Sequence, residues 1–343
     1  METLAVKYRP RTFDDMIEQT VIKAILKSQI ETDDIRNCYL FCGPAGCGKT
    51  TSARAFAKQI CNEPNAIITE LDAASHNGVE DIRKLIEDSK FKPIGQKYKI
   101  FVLDECHMLT PQSWACLLKV LEEPTPTSIF IFATTDPQKI PNTILSRIQR
   151  YDFKKITHNG IVNRLKYILE SENNNENCGY IFDEDAISYI AKLADGGMRD
   201  SITLMEKVLG FSKSITMESV VKALGTVDYN VMFELTTAIC KMDKKTVIEI
   251  VETIHRDGID LKQFIKNYNY FVLDLCKYNV FQDFEYLQLP NTYEKQVKQY
   301  TKDDFAFFTT LLNEVINLNS SIKWESTPKP IIESTFILLC SEA

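Results

Sequence analysis

The sequence predicts an α/β protein: a parallel sheet covered by helices on both faces, followed by helical sequence to the end of the chain. Three observations carry this. Over roughly the first 150 residues, short apolar runs alternate with helical periodicities, as in repeated strand–helix–strand units. Each apolar run ends in a turn signal or a polar residue. After Phe153 the strand signal disappears.

Taken in order, the candidate strands are Cys38–Cys42, residues 67–72, Ile100–Asp104 and Ser128–Thr134, apolar enough to be buried on both faces. Helical patterns fall between them at Lys49–Ile60, Val79–Asp88 and Gln112–Glu122. Helical periodicity returns at Ile161–Glu170, Glu184–Ala194, Asp200–Leu209 and Met217–Leu224. Ser171–Gly179, rich in Asn and Glu, is expected to be an exposed loop. From about Asp228 onward, amphipathic helices alternate with short polar joints. Phe264, Tyr268, Phe271 and Leu275 recur at helical steps, as do Phe307, Leu311, Leu312, Val315 and Leu318; both stripes read as helix packing. There is no internal repeat and no low-complexity tail.

At 343 residues the chain has room for two or three domains. Its 44% hydrophobic and 25% charged content is that of a soluble globular protein, and no apolar run is long enough to span a bilayer. Lys7, Arg9 and Arg11 stand where a signal peptide needs its apolar stretch, so a cytoplasmic protein is expected. The ten cysteines lack C-x-x-C spacing and read as reduced thiols, several of them buried. A net charge of −7 argues against a surface that grips nucleic acid throughout, and leaves room for a local or shared basic groove.

Gly43, Pro44, Ala45, Gly46, Cys47, Gly48, Lys49 and Thr50 match G-x-x-x-x-G-K-[ST] at every required position, between a candidate strand and a candidate helix. Glycines let backbone N–H groups turn inward around phosphate oxygens, and the helix N-terminus adds favourable dipole charge. Lys49 is expected to reach the β- and γ-phosphates and the Thr50 hydroxyl to bind Mg²⁺, with Thr51 following in the same turn. The run Ile100-Phe-Val-Leu-Asp-Glu105 delivers two carboxylates to the end of a buried strand, where ligands of such sheets bind. Asp104 is expected to hold the magnesium ion, and Glu105 to act as the base that polarises the attacking water. Together the two blocks indicate a nucleoside triphosphatase.

Further blocks carry a family resemblance. Asp104-Glu-Cys-His-Met-Leu109, Leu117-Leu-Lys-Val-Leu-Glu-Glu-Pro124, Ala133-Thr-Thr-Asp-Pro-Gln-Lys-Ile-Pro141 and Ile144-Leu-Ser-Arg147 closely resemble the gamma/tau subunit of bacterial DNA polymerase III. So do Lys7-Tyr-Arg-Pro10 with Thr12-Phe13, and Leu71-Asp-Ala-Ala-Ser75 with Val79-Glu-Asp-Ile-Arg83. The likeness is dense from residue 4 to about residue 226. It implies an AAA+ sheet domain at 1–155, a small helical lid at 156–226 and a helical collar at 227–343. It implies an ATP- and magnesium-dependent subunit of a sliding-clamp loader, assembled with other loader subunits into a pentamer that acts on the clamp and on primer–template DNA.

Residue by residue, the resemblance implies that Tyr8, Arg9 and Pro10 pack against the adenine. It implies that Thr134 or Thr135 senses the γ-phosphate and that Arg199, in Gly196-Gly-Met-Arg-Asp200, reaches the nucleotide from the lid. Arg147 would act in trans on the neighbouring subunit's ATP. Ser75-His-Asn-Gly78, Arg83, Lys90, Lys92 and Lys97 are expected near helix starts lining a DNA channel. The chain departs from the family in three ways. Cys61 is followed by Asn62-Glu-Pro-Asn-Ala66 with no room for the usual four-cysteine zinc module, so no zinc is expected. Glu18-Gln19 replaces the usual Gly-Gln, leaving that turn open. The long tau extension is expected to be absent, and the compact form suits a phage or low-GC source. Two other readings stand beside this one: a catalytically silent loader subunit lending only its arginine, and another AAA+ enzyme such as a branch-migration motor. Intact Lys49, Thr50, Asp104, Glu105 and Arg199 oppose the first, and the Ala133–Pro141 and Leu117–Pro124 blocks oppose the second.

Overall fold

The computed structural model describes residues 2–61, 68–93, 95–176, 178–225, 227–287, 289–300 and 305–342. They fall into two units, Met1–Ser171 with Leu193–Thr203, and Glu172–Lys192 with Leu204–Ala343. The elements of the sheet region run α1 (Leu4–Lys7), α2 (Thr20–Glu31), β1 (Cys38–Cys42), α3 (Lys49–Cys61), β2 (Ile68–Asp72), α4 (Val79–Ser89), β3 (Lys99–Asp104), α5 (Pro111–Glu122), β4 (Ser128–Thr134), α6 (Asn142–Leu145) and β5 (Gln149–Asp152). The strands are all parallel, in the order β2-β3-β4-β1-β5.

Period-two alternation sorts the strand side chains onto two faces. Tyr39, Phe41, Ile100, Val102, Ile129 and Ile131 pack with Ala53 and Phe56 of α3. Leu40, Phe101, Leu103, Phe130 and Phe132 pack with Ile82 and Leu85 of α4 and with Trp114 and Leu117 of α5. β1 and β4 are buried along their whole length. β2 is not the buried strand expected: it lies at the sheet edge, with Glu70 and Asp72 exposed. β5 at the other edge was not among the expected strands. The start of α5 carries cap chemistry: Thr110 accepts from Ser113 N at 3.2 Å and Pro111 fills the first helical position.

The Glu18–Gln19 turn, left open by the sequence, puts both residues in the left-handed region, at φ 53° and 50°. Glycine suits that conformation best. Here side-chain bonds compensate. Glu18 accepts from Thr157 N at 3.1 Å and from the Thr157 hydroxyl. Gln19 Nε2 donates to Lys154 O at 2.7 Å.

The chain continues through α7 (His158–Glu176), β6 (Ile181–Phe182), α8 (Glu184–Leu193), α9 (Met198–Phe211), β7 (Ser214–Ile215), α10 (Met217–Leu224), α11 (Tyr229–Cys240), α12 (Lys244–Arg256), α13 (Leu261–Phe281), α14 (Glu294–Val297), α15 (Phe305–Ser321) and α16 (Lys329–Glu342). Two expectations are corrected. The loop expected at Ser171–Gly179 is helix as far as Glu176, because Asn173 ties the end of α7 to Tyr180, accepting from its N at 2.7 Å and donating to its O at 2.8 Å. Strand does recur after Phe153, as the two-residue parallel pairing of β6 with β7.

In the second unit Phe264, Tyr268, Phe271 and Leu275 are buried, as are Leu311, Val315 and Leu318, while Phe307 and Leu312 are half-buried against the same core. Asp228, Asp243 and Asp260 cap α11, α12 and α13 by accepting from backbone N–H groups two or three residues on. Among the described residues no helix is long and apolar enough to cross a membrane. All ten cysteines are free, and seven of them are buried.

Candidate nucleotide site

The loop between β1 and α3 is shaped by its glycines. Gly46 has φ +71° and Gly48 φ +99°, conformations that suit glycine. A Cβ on Gly46 would lie 2.9 Å from Gly197 Cα, and one on Gly43 would lie 2.6 Å from Phe153 O, so neither position accepts a larger residue without movement. Lys49 is 6% exposed, and its ammonium donates to Gly43 O and Pro44 O, both at 2.8 Å. Burial pushes the neighbouring Cys47 thiol up from its ordinary pKa, against the opposing charge of Lys49.

β3 brings its carboxylates to the same place. Thr50 Oγ1 donates to Asp104 Oδ2 at 2.7 Å, and Glu105 N donates to Asp104 Oδ1 at 3.0 Å. Glu105 sits at φ 46°, a strained conformation for a residue with a side chain, which turns its carboxylate back toward the end of β4. There Thr135 Oγ1 donates to Glu105 Oε2 at 3.1 Å. His107 Nδ1 lies 3.3 Å from Glu105 Oε2 and 3.1 Å from the buried Thr134 hydroxyl. Both threonines of the expected sensor pair thus belong to one network, Thr135 directly and Thr134 through His107. Sequence reasoning gave His107 no role, although it lies within the Asp104–Leu109 block.

The segment after α1 and the start of α9 close the site. Arg164 Nη2 donates to Tyr8 O at 2.8 Å and anchors the Tyr8–Pro10 segment. Met198 N donates to Gly46 O at 3.0 Å, which seats the Gly196–Gly197 turn on the phosphate loop and brings Arg199 to the cavity wall. The result is one cavity of about 340 Å³ whose walls include Tyr8, Arg9, Pro10, Ala45, Gly46, Cys47, Gly48, Lys49, Thr50, Thr51, Asp104, Glu105 and Arg199. Met16, Ile17, Ile156 and Ile202 add apolar surface. Burial, and then the charges of Arg54 and Arg199, hold the Arg9 guanidinium below its usual pKa; Glu70 and Asp104 oppose the shift. The cavity is therefore rich in positive charge, as a polyphosphate site requires. The Thr50 and Asp104 oxygens are hard donors of the kind magnesium takes from protein, so the residues present fit that ion.

Arg147 is not in this cavity. Its Nη2 lies 2.8 Å from Glu122 Oε1, and its Nη1 donates to Thr143 O at 2.6 Å and to Ser146 Oγ at 3.0 Å. It lines a second hollow of about 440 Å³ with Arg36, Asn37 and Gln149, beside the opening residues of β1 and β5 rather than their ends.

The residues expected along a DNA channel are spread out. Arg83 is exposed on α4, 3.6 Å from Glu80; Lys90 caps the C-terminus of that helix, and Lys92 and Lys97 follow it, so the three lysines are not at a helix start. Lys97 is held by Asp33 at 2.6 and 2.8 Å, and this bond raises its pKa. The expectation of no zinc rested on residues 62–66, which lie outside the described residues. Elsewhere among the described residues, Glu172, Glu176 and Cys178 offer atoms within 4.8 Å of one another, a mainly carboxylate set.

Comparison with known proteins gives the family. A family model for the DNA polymerase III delta subunit matches residues 61–157, one for the clamp loader subunit ATPase lid domain matches 160–214, and one for gamma and tau domain III matches 215–303. The chain is 33% identical to the DNA polymerase III subunit gamma of Buchnera aphidicola, over 77% of each protein. The chain belongs to the DNA polymerase III gamma/tau family. It is also 34% identical to the gamma/tau subunit of Mycoplasma genitalium, over 92% of this chain, but spans only 55% of that relative's length. The gamma/tau chain likewise shares the AAA+ fold of the Holliday junction branch migration motor RuvB of Thermotoga maritima, with TM-score 0.51 and 20% identity over 68% of this chain and 79% of that one.

Proposed function

We propose that this gamma/tau chain is an ATP-hydrolysing motor subunit of a sliding-clamp loader. The observation that carries the reading is the 2.7 Å contact of Thr50 with Asp104 beneath an intact phosphate loop, with Glu105 at the next position. A silent subunit has no chemical need for this set. When bound, magnesium supplies charge that neutralises phosphate oxygens. The chain's own residues do the rest. Backbone N–H groups of the loop and Lys49 hold the triphosphate, Arg199 closes on it, and Glu105 takes up a proton from the attacking water. The remaining expectations stand with this reading: domains at 1–155, 156–226 and 227–343, Tyr8–Pro10 against the adenine, a cytoplasmic pentamer with other loader subunits, a clamp and primer–template DNA as partners, and no structural zinc.

Lys49→Ala tests the site itself. The ammonium is buried and aimed into the loop, so its loss is expected to abolish tight ATP binding. Wild-type affinity of the variant in a fluorescence titration contradicts the assignment. For DNA, Arg83 and Lys92 are both exposed, and Arg83 meets only the exposed Glu80 side chain at 3.6 Å, so each is proposed to contact phosphate without reading bases. Primer–template affinity is expected to fall with salt, and Arg83→Ala or Lys92→Ala to flatten that slope by about one unit per lost contact. An unchanged slope in both variants removes them from the DNA path.

A further inference from the structure

The wall of the nucleotide cavity carries a guanidinium to which no motif gives a role. Arg54 lies on α3 one turn beyond Thr50, and the four-residue spacing puts both on one face of the helix. Both line the cavity. Arg54 Nη2 lies 2.5 Å from Glu70 Oε2 on β2. Glu70 precedes by two residues Asp72, whose partner across the sheet is Asp104. Glu70 itself is opposite Val102, two residues back from Asp104, so the ion pair stands one step behind the Thr50–Asp104 contact, and Arg54 reaches the cavity from there.

Arg54 Nε is buried and meets no hydrogen-bond partner among the described residues. A guanidinium presents five donors in a planar fork, and one carboxylate oxygen leaves most of that capacity unused. Arg9 and Arg199 converge on the same wall, and the charges of Arg54 and Arg199 both act on the Arg9 guanidinium. Gathering like charges around a cavity is unfavourable unless an anion comes between them. Arg9, Lys49, Arg54, Arg164 and Arg199 line the cavity with the carboxylates of Asp104, Glu105 and Asp200, and Glu70 stands behind Arg54.

We infer that Arg54 is a further phosphate-binding residue that recognises the terminal phosphate of a nucleoside triphosphate, while Glu70 holds it in the cavity wall and competes with that phosphate for it. This rests on the nucleotide-site reading above. Affinities of the full chain for ADP and for the slowly hydrolysed analogue ATPγS test it. Arg54→Gln is expected to weaken ATPγS at least tenfold and ADP less than threefold, because only the longer anion reaches the lost fork. Glu70→Gln is expected to leave ATPγS binding unchanged or tighter, since it removes the competitor. Arg54→Lys keeps a charge on the same stem but loses the fork, and is expected to weaken ATPγS by less than Arg54→Gln does; with Glu70→Gln it carries the test if Arg54→Gln does not fold. Equal losses for both nucleotides, no loss in either arginine variant, or a loss in Glu70→Gln that matches Arg54→Gln makes the pair structural and overturns the inference. A wild-type chain that binds neither nucleotide overturns the site reading instead.

Discussion

Arg147→Ala is expected to leave ATP binding nearly intact and to remove most of the hydrolysis that assembly, clamp and primer–template bring about. The guanidinium sits outside its own subunit's nucleotide cavity, so it is not placed to help that site. Glu122 fixes one arm of the fork at 2.8 Å, and Thr143 and Ser146 fix another, which holds the side chain at the domain surface. A permanently charged planar fork suits the charge shared over γ-phosphate oxygens in the transition state. Arginines supplied in this way contribute about 10³–10⁵-fold in well-characterised phosphoryl transfer, and the low end or less is expected here because the chain also carries Arg199 in cis. The decisive form is a mixture. A Lys49→Ala subunit keeps the finger and lacks the site; an Arg147→Ala subunit keeps the site and lacks the finger. Assembled side by side, they are expected to recover activity that neither has alone. If native mass spectrometry finds the two variants adjacent and the mixture stays inactive, Arg147 does not act in trans.

Glu105→Gln is expected to bind ATP normally and to hydrolyse it roughly 10²-fold more slowly or worse, the usual scale for losing a positioned general base. The substitution keeps size and keeps an oxygen able to accept from Thr135, so the turn at φ 46° stays supported. What it removes is the carboxylate that takes the proton. Steps driven by binding alone, clamp opening among them, are expected to survive. Near-normal steady-state turnover in the variant contradicts the role given to Glu105.

How much was legible beforehand follows from where each signal resides. β1 and β4 were read to the residue because buried parallel strands are continuous apolar runs. β5 was missed because Gln149–Asp152 buries only Tyr151, and a polar four-residue edge strand has no local signature. The helical end of α7 was missed because Asn and Glu weigh against helix locally, whereas the bonds from Asn173 to Tyr180 arise only in the folded chain. The phosphate loop and Asp104–Glu105 were legible because their chemistry is carried by contiguous residues. The roles of His107 and Arg54 were not, since their partners, Thr134 on β4 and Glu70 on β2, are distant in sequence and meet them only once the sheet is assembled. The Glu18–Gln19 turn illustrates the same limit: a glycine position was filled by residues whose compensating bonds reach 135 residues or more along the chain.

The most direct test of the clamp-loader reading is steady-state ATP hydrolysis by the chain copurified with its partner subunits, measured with and without a sliding clamp and primer–template DNA from the same source. The account predicts slow turnover by the complex alone, a rise of several-fold or more when clamp and DNA are both present, and loss of that rise in Glu105→Gln. Turnover that is the same with and without clamp and DNA, in a complex that binds both, would contradict it.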